Sequence, residues 1–537
     1  MTSGIRRAPG RMAALGCAAL VAATVSGCGS VQNAVSGGST SSAITMGTIS
    51  TTSTLDPAGA YDTGSWMILE NTFQSLLSFP VGATSPQPEA AQSCSFTGSD
   101  SMTYQCTLRS GLTFSNGHPL TAQDVVFSIN RVKQINDPNG PSALFGTIQS
   151  VEAQGDSTVV FHLTQPDAVL PDELATAAGS IVDHTVFPAN KELPNSQLIG
   201  SGPYKIESIQ DMSDGKTPSQ VVLTPNTHYQ GSQKLANSKF TLRFYKTASE
   251  VKSALDSGAI DLTDNSLDPS VSAQLQTDSQ SGVGNYKVTQ GAASDASYLV
   301  FNTKDETTGQ TAVRQAVAQL IDREAIAKDV YANTVEPLYS IIPQGIGGHT
   351  TAFFDKYGDP SVSKAKAILT AAKVPLPVKL DIAYQGGPVG QALTAQMKSE
   401  LEADGLFQVN ITTQSDPSAY QQGYTNGAYQ SFLVGWSIDY PDAEDFVVPL
   451  VVGGGSFHNG YDNPQISQQL VPVSQKQADR TAAASTFASI QSILANDVPM
   501  LPLFQDKSYF VSRNNITGVE QTVDSTGVYR FAGIGRQ

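Results

Sequence analysis

The chain predicts a mixed α/β fold with room for more than one packed lobe. Three observations carry this. Strand-like and helix-like segments alternate from Thr103 to the C-terminus. About 510 residues remain after an N-terminal export signal, enough for two or more cores. Beyond that signal, no segment is apolar for long enough to span a bilayer.

The export signal comes first. Arg6, Arg7 and Arg11 precede an apolar run, Met12 to Val25. The run is too short to cross a membrane and fits the core of a signal peptide. It ends in "VSGC", Val25 to Cys28, which resembles a lipobox. The resemblance implies a lipoprotein signal peptide over 1–27, cleavage before Cys28 and a lipid on its sulfur. A plain secretory signal with an incidental cysteine is the alternative. No apolar pair follows Arg6-Arg7 directly, so Sec or Tat export stays open. Residues 28–46 are rich in Gly, Ser, Thr and Asn and carry no charge. They read as a flexible tether, holding the body at the extracytoplasmic side of the cell membrane.

Cysteine and charge bound the rest. Cys17 leaves with the signal and Cys28 is the lipid site, so only Cys94 and Cys106 remain, in "CSFTGSDSMTYQC". In an exported protein, two cysteines around a Gly/Ser/Asp turn read as a disulfide-closed hairpin. Cleavage leaves 28 of the 31 basic residues against 47 acidic ones. Such a chain is a poor partner for nucleic acid or anionic lipid and is compatible with cationic ligands.

The body follows in order. "TYQCTLRSGLTF" has strand residues around a glycine turn, and "SNGHPL" is a turn. "TAQDVVFSINRV" opens a helix: Thr121 is an N-cap with Asp124 at N3, and Leu120 and Val125 stand at staple positions. Val125, Ile129 and Val132 repeat at the spacing of a buried helix face. "STVVFHLTQP" is a strand, and "IGSGPYKIESI" a glycine turn entering another. Lys239 to Thr263 reads as strand, helix, Gly258 stop and short strand. "ASYLVFNT", Ala296 to Thr303, is a buried strand. Val313, Ala316, Val317, Leu320 and Ile321 share a helix face, and Asp322 caps a second helix. "VKLDIAY", "FQVNITTQ" and "QSFLVGW" are strands, with a helix stopped by Gly405 between the first two. "DVPMLPLFQDKSYFVS" reads as a last strand pair.

The order of several pieces is more specific than any one of them. "TLDP" (54–57), "NTFQSLLSF" (71–79), Thr103–Val132, "GSGPYKI" (200–206), Phe301–Ile326, "GWSIDYPD" (435–442) and "VPMLPLF" (498–504) occur in sequence. Together they resemble the peptide/nickel class (family 5) of extracellular solute-binding proteins of ABC importers. The resemblance implies a two-lobed periplasmic-binding-protein fold of class II type, with an extra subdomain inserted in the first lobe. On that expectation residues 47–298 form the first lobe, with the inserted subdomain at about 75–190. Residues 299–500 form the second lobe, and 501–537 return to the first. "ASYLVFNT" becomes the first crossing strand and Leu501–Phe510 the return, with the disulfide in the inserted subdomain.

The loop "GWSIDYPDAEDF", Gly435 to Phe446, carries the candidate site. In peptide binders of the family, the aspartate three residues after this tryptophan pairs with the peptide α-ammonium group. By position that is Asp439, with Trp436 lining the cleft and Tyr440 beside it. An ammonium leaving water needs a charged, well-oriented acceptor. A structural turn is the alternative for Asp439. Asp442, Glu444 and Asp445 are expected to cap the following segment or to face solvent. Some members carry an arginine before the Gly-Trp, near the ligand's carboxylate end. Here Leu433-Val434 stands there, so a longer peptide, a modified peptide or a cationic non-peptide also fits.

Enzyme motifs are missing: there is no G-x-S-x-G, no Walker lysine loop and no H-E-x-x-H. "GGGSFHNG" lacks the lysine and the strand–loop–helix setting of a phosphate cradle. The six histidines show no paired ligand spacing, and His118 reads as a surface turn residue. The expectation is a monomeric binding protein, not an enzyme, with no cofactor and no metal. It hands a peptide or related solute to an ABC permease and touches the membrane only through its lipid. The alternatives are a receptor for a nickel chelate, siderophore or sugar, or a sensor of a peptide signal.

Overall fold

Two long strands with polar middles organise the molecule. In the computed structural model, which describes residues 42–212, 217–453 and 455–537, Tyr286–Phe301 runs antiparallel to Met500–Arg513. The ladder is irregular between Ala292 and Ala296, and again between Ser297 and Tyr298. The hydrophobic cores part at this place. One core uses residues from Ala296 to Phe504. Another joins Ile44–Leu262 to Phe510–Ile534. A third runs from Ala58 to Ile181. The chain is thus a two-lobed α/β protein, and both strands pass from one lobe into the other.

Both crossings differ from their sequence reading. The first strand starts at Tyr286, ten residues before Ala296. The second is one continuous strand of 14 residues, not a strand pair. The cause is shared. "KVTQGAASD" and "QDKS" lie where the chain leaves one core for the other, so no apolar alternation marks them as strand. The tether also ends earlier than its composition suggests. Ala43–Thr48 is a strand parallel to Lys239–Phe244 and Leu262–Thr263. Ile44 and Met46 are fully buried there, and two alternating apolar residues suffice to add a strand to a preformed sheet. The signal segment and Cys28 lie outside the described residues.

An eleven-stranded mixed sheet runs through both lobes. In the second lobe, Val378–Tyr384 is parallel to Phe407–Thr413 and to Ser431–Trp436, and the last is antiparallel to Tyr286–Phe301. Residues between Ala91 and Leu163 form a separate four-stranded antiparallel sheet, in the order Ala91–Phe96, Thr103–Leu108, Thr158–Leu163, Ile148–Gln154. Cys94 and Cys106 face each other in register on its first two strands, 4.1 Å apart at Cα, and form a disulfide. The helix Ala122–Ile135 packs on this sheet. The Asp124 carboxylate accepts the Thr121 N–H (2.8 Å) and hydroxyl (2.9 Å), which fixes where the helix starts. In "GSGPYKI", Gly200 and Gly202 press against the Thr72–Phe73 backbone, where a Cβ would stand 2.1 and 2.5 Å from its atoms. Only glycine lets the chain pass so close to the end of helix Thr63–Thr72. Among the described residues, no helix is long and apolar enough to cross a membrane.

Candidate ligand cleft

The helix Thr63–Thr72 forms one wall of a cavity of about 530 Å³ between the lobes. Thr63, Trp66, Met67 and Glu70 face it, the spacing of one helix face. Asp62 caps that helix by accepting the Ser65 N–H at 2.8 Å. The floor comes from the crossing strands, through Ala293, Ser294, Asp295 and Ser508. Trp436 to Asp439 enter from the second lobe, and Thr522 to Tyr529 from the C-terminal segment.

The two lobes touch beside this cavity. Tyr61 donates its hydroxyl to Asp439 Oδ2 at 2.5 Å. Tyr440 is buried among Phe79 and Val169 of the first lobe. The Ala168 N–H donates to the Gln475 carbonyl at 3.0 Å. The structure is therefore a closed one. Of the expected site residues, Trp436 and Asp439 line the cavity, whereas Tyr440 serves the lobe contact next to it.

The lining is acidic throughout. Asp62, Glu70, Asp264, Asp295, Asp439 and Asp524 reach it, and among the described residues no Lys, Arg or His does. Among the described residues, Asp524 is the one of them in a salt bridge, with Arg530 at 3.0 Å. Asp264 is held by the Thr48 hydroxyl (2.9 Å), by Ser266 and by the Tyr529 hydroxyl (3.4 Å). Asp295 accepts the Ile438 N–H at 3.2 Å, and Glu70 the Tyr529 N–H at 3.0 Å. Burial raises the Glu70 carboxyl to about 8, and burial also raises Asp264 and Asp295.

Half-buried Asp439 and buried Asp445 form an acid pair. Asp445 Oδ2 accepts the Asp439 N–H (3.1 Å) and the Trp436 indole N–H (3.2 Å). Burial pushes both carboxyls up, and for Asp445 the neighbouring Asp439 charge adds to it. Leu433 and Val434 are half-buried strand residues paired with Leu299 and Tyr298.

Asp442 and Glu444 are not solvent-facing as the loop's acidity suggested. Arg480 donates to both Asp442 oxygens (2.8 and 2.9 Å) and to Glu444 (3.0 Å). Asp442 also accepts the Glu444 N–H at 2.8 Å, which is its capping role. The partner Arg480 lies too far along the chain for a local reading to find it. Asp172 and Glu173 are buried beside this network, and burial raises both strongly.

A histidine–carboxylate group lies elsewhere. Ligand atoms of Asp124, Asp183 and His184 fall within 4.8 Å of one another. His184 Nδ1 is 2.7 Å from Asp124, and His118 Nδ1 is 2.7 Å from Asp183. Asp183 also accepts from Asn116 (2.9 Å) and Thr185 (2.6 Å). These carboxylates are already saturated, and the group pins the start of the capped helix to the 183–185 turn.

The comparisons with known proteins agree with this geometry. The profile of the bacterial extracellular solute-binding proteins, family 5 Middle, matches residues 85–458. The probable D,D-dipeptide-binding periplasmic protein DdpA of Escherichia coli K12 is 23% identical, over 86% of this chain and 88% of that protein. The oligopeptide-binding protein OppA of Bacillus subtilis 168 is 23% identical, over 87% and 88%. The Helicobacter pylori periplasmic binding protein DppA, solved in complex with the peptide STSA, superimposes with a TM-score of 0.78 at 22% identity. It covers 92% of this chain and 98% of that one.

Proposed function

The chain belongs to the bacterial extracellular solute-binding proteins of family 5, and from that premise we propose that it is a lipid-anchored receptor that captures peptides by their free N-terminus for an ABC permease. The family's work is binding for transport, not catalysis. In this reading Asp439 receives the α-ammonium group, Trp436 walls the cleft, and Tyr440 closes the lobes beside it. Cys28 carries the lipid, and the monomer works on the extracytoplasmic side of the membrane. The first lobe holds the cores on either side of the second, with the disulfide-closed sheet as its inserted subdomain.

One observation carries the reading: Asp439 lines an interlobe cavity with Asp445 behind it, and among the described residues neither has a cationic partner. The names of the relatives, which bind dipeptides and oligopeptides, support peptide as the ligand class. Titration calorimetry tests it with a tetrapeptide library, free or N-acetylated, on wild type and Asp439→Asn. Leaving a buried ammonium without its acceptor costs roughly 3–5 kcal/mol, a weakening of two to four decades. Acetylated peptide should bind wild type weakly and barely distinguish the two proteins. Equal affinity of free peptide for both proteins would remove Asp439 from the site.

A further inference from the structure

We propose that closing the lobes takes up protons on Asp172 and Glu173, at the lobe contact beside Tyr440, so that the closed form gives way to the open one as pH rises. This latch lies outside the ligand cavity and does not depend on what the cavity binds. The short helix Leu170–Glu173 carries both acids to the contact. Val169, just before it, packs against Tyr440, and the Ala168 N–H reaches the Gln475 carbonyl across the lobes. Asp167 stands at the same edge. Asp442, Glu444 and Arg480 come from the second lobe.

Charge at this contact does not balance. Asp167, Asp172, Glu173, Asp442 and Glu444 are each between 2% and 8% exposed. Among the described residues the cation acting on them is Arg480, which is spent on Asp442, Glu444 and the Ser474 carbonyl. Lys476, beside Gln475, is exposed to solvent. Asp167 accepts the Thr147 hydroxyl and the Val169 N–H, which offset part of its burial. Glu173 has no such help: its Oε2 is buried without a hydrogen-bond partner. Asp167, Asp172, Asp439 and Glu444 all bear on it with like charge, and Asp172 faces Asp167 and Asp442 as well as Arg480. The remaining titratable neighbours, Tyr61, Tyr104 and Tyr440, are phenols that burial and these acids keep neutral. The turn Pro141–Phe145, which packs on the helix, brings no charged residue.

A buried carboxylate without a counter-ion binds a proton rather than stay charged. Opening the lobes returns these acids to water, where a carboxyl titrates at roughly 4. Closure therefore takes up protons, and low pH favours it. The gain is fully present below about pH 4.5 and is lost as pH rises toward the closed-state values, of which Glu444 stands at about 8. Each proton taken up changes the closed-to-open ratio by up to about tenfold per pH unit within that window.

Small-angle scattering on ligand-free protein between about pH 5.5 and 8.5 reads this equilibrium. The wild-type particle should widen as pH rises. The double variant Asp172→Asn, Glu173→Gln carries the neutral forms permanently, so it should stay compact at the high end and show a flat response. Glu400→Gln removes a buried acid of the second lobe that accepts the Asp322 N–H away from the contact, and should respond as wild type does. Unfolding midpoints verify that each variant folds. A wild-type particle of constant size across the range overturns the latch. So does a double variant that widens as steeply as wild type, or a response flattened equally by Glu400→Gln.

Discussion

Two aspartates of this chain have opposite surroundings. Asp56, in "TLDP", is fully buried and receives both terminal nitrogens of Arg131, at 2.6 and 2.7 Å. The Ala58 and Leu193 N–H groups complete its shell, and Arg131 spends its other donors on the Pro188 and Lys191 carbonyls. Asp439 has a tyrosine hydroxyl and another carboxyl for company. The first acid carries its counter-ion in the sequence and ties together three chain segments. The second has no cationic partner among the described residues. A charge with a permanent partner is architecture, whereas one without is, in the proposed reading, where the ligand's cation is received.

The largest effect should come from breaking the self-contained pair. Arg131→Met leaves Asp56 buried and unpaired, which costs about 3–5 kcal/mol of folding stability. Asp439→Asn should cost no stability, since no counter-ion is lost, and should reduce affinity alone. Chemical denaturation of the two variants side by side makes the contrast. A loss below about 1 kcal/mol for Arg131→Met would dissolve the distinction.

Arg480 is an intermediate case, one guanidinium serving Asp442 and Glu444 beside Asp172 at the lobe contact. Its side chain is 19% exposed, so Arg480→Gln should cost less than the Asp56 case, roughly 2 kcal/mol. The loss should fall on the closed form. Small-angle scattering should show a more open particle, and peptide should bind more weakly although Arg480 does not line the cavity. A variant as closed and as tight-binding as wild type would make the network decorative.

The smallest effect is a pH dependence. Glu70 and Glu444 both stand near 8 because of burial, against 4.5 for a free glutamate. The folded protein thus holds protons that the unfolded chain has released over that interval. The contribution of these groups is fully present below about pH 4.5 and is lost as pH rises toward 8. The thermal midpoint of ligand-free protein should fall over this range, and less so in Glu444→Gln. A cationic peptide should restore more at pH 8 than near pH 5. Identical slopes for wild type and Glu444→Gln would show that this carboxyl titrates as it does in water.

Much of the molecule was legible along the chain because its causes are local. The capping box at Thr121–Asp124, the facing cysteines of one hairpin, the buried faces of helices and the strand "QSFLVGW" need only neighbours a few residues away. The order of these pieces was enough to announce the family, and Trp436 and Asp439 do reach the cavity. The crossing strands were only half readable. A strand between two cores carries the apolar pattern of each core at its ends and neither pattern in its middle.

Sequence by itself determined the class of the chain, its acidity and the loop where a ligand's cation would be sought. The tertiary structure alone decided which acids are spent and which are free. Asp442 and Glu444 meet Arg480 from 36 to 38 residues away, and Glu70 meets Tyr529 across 459. Whether a carboxylate is a strut or a binding group depends on the charge folded against it. That charge comes from another part of the chain, through an approach that no local pattern encodes.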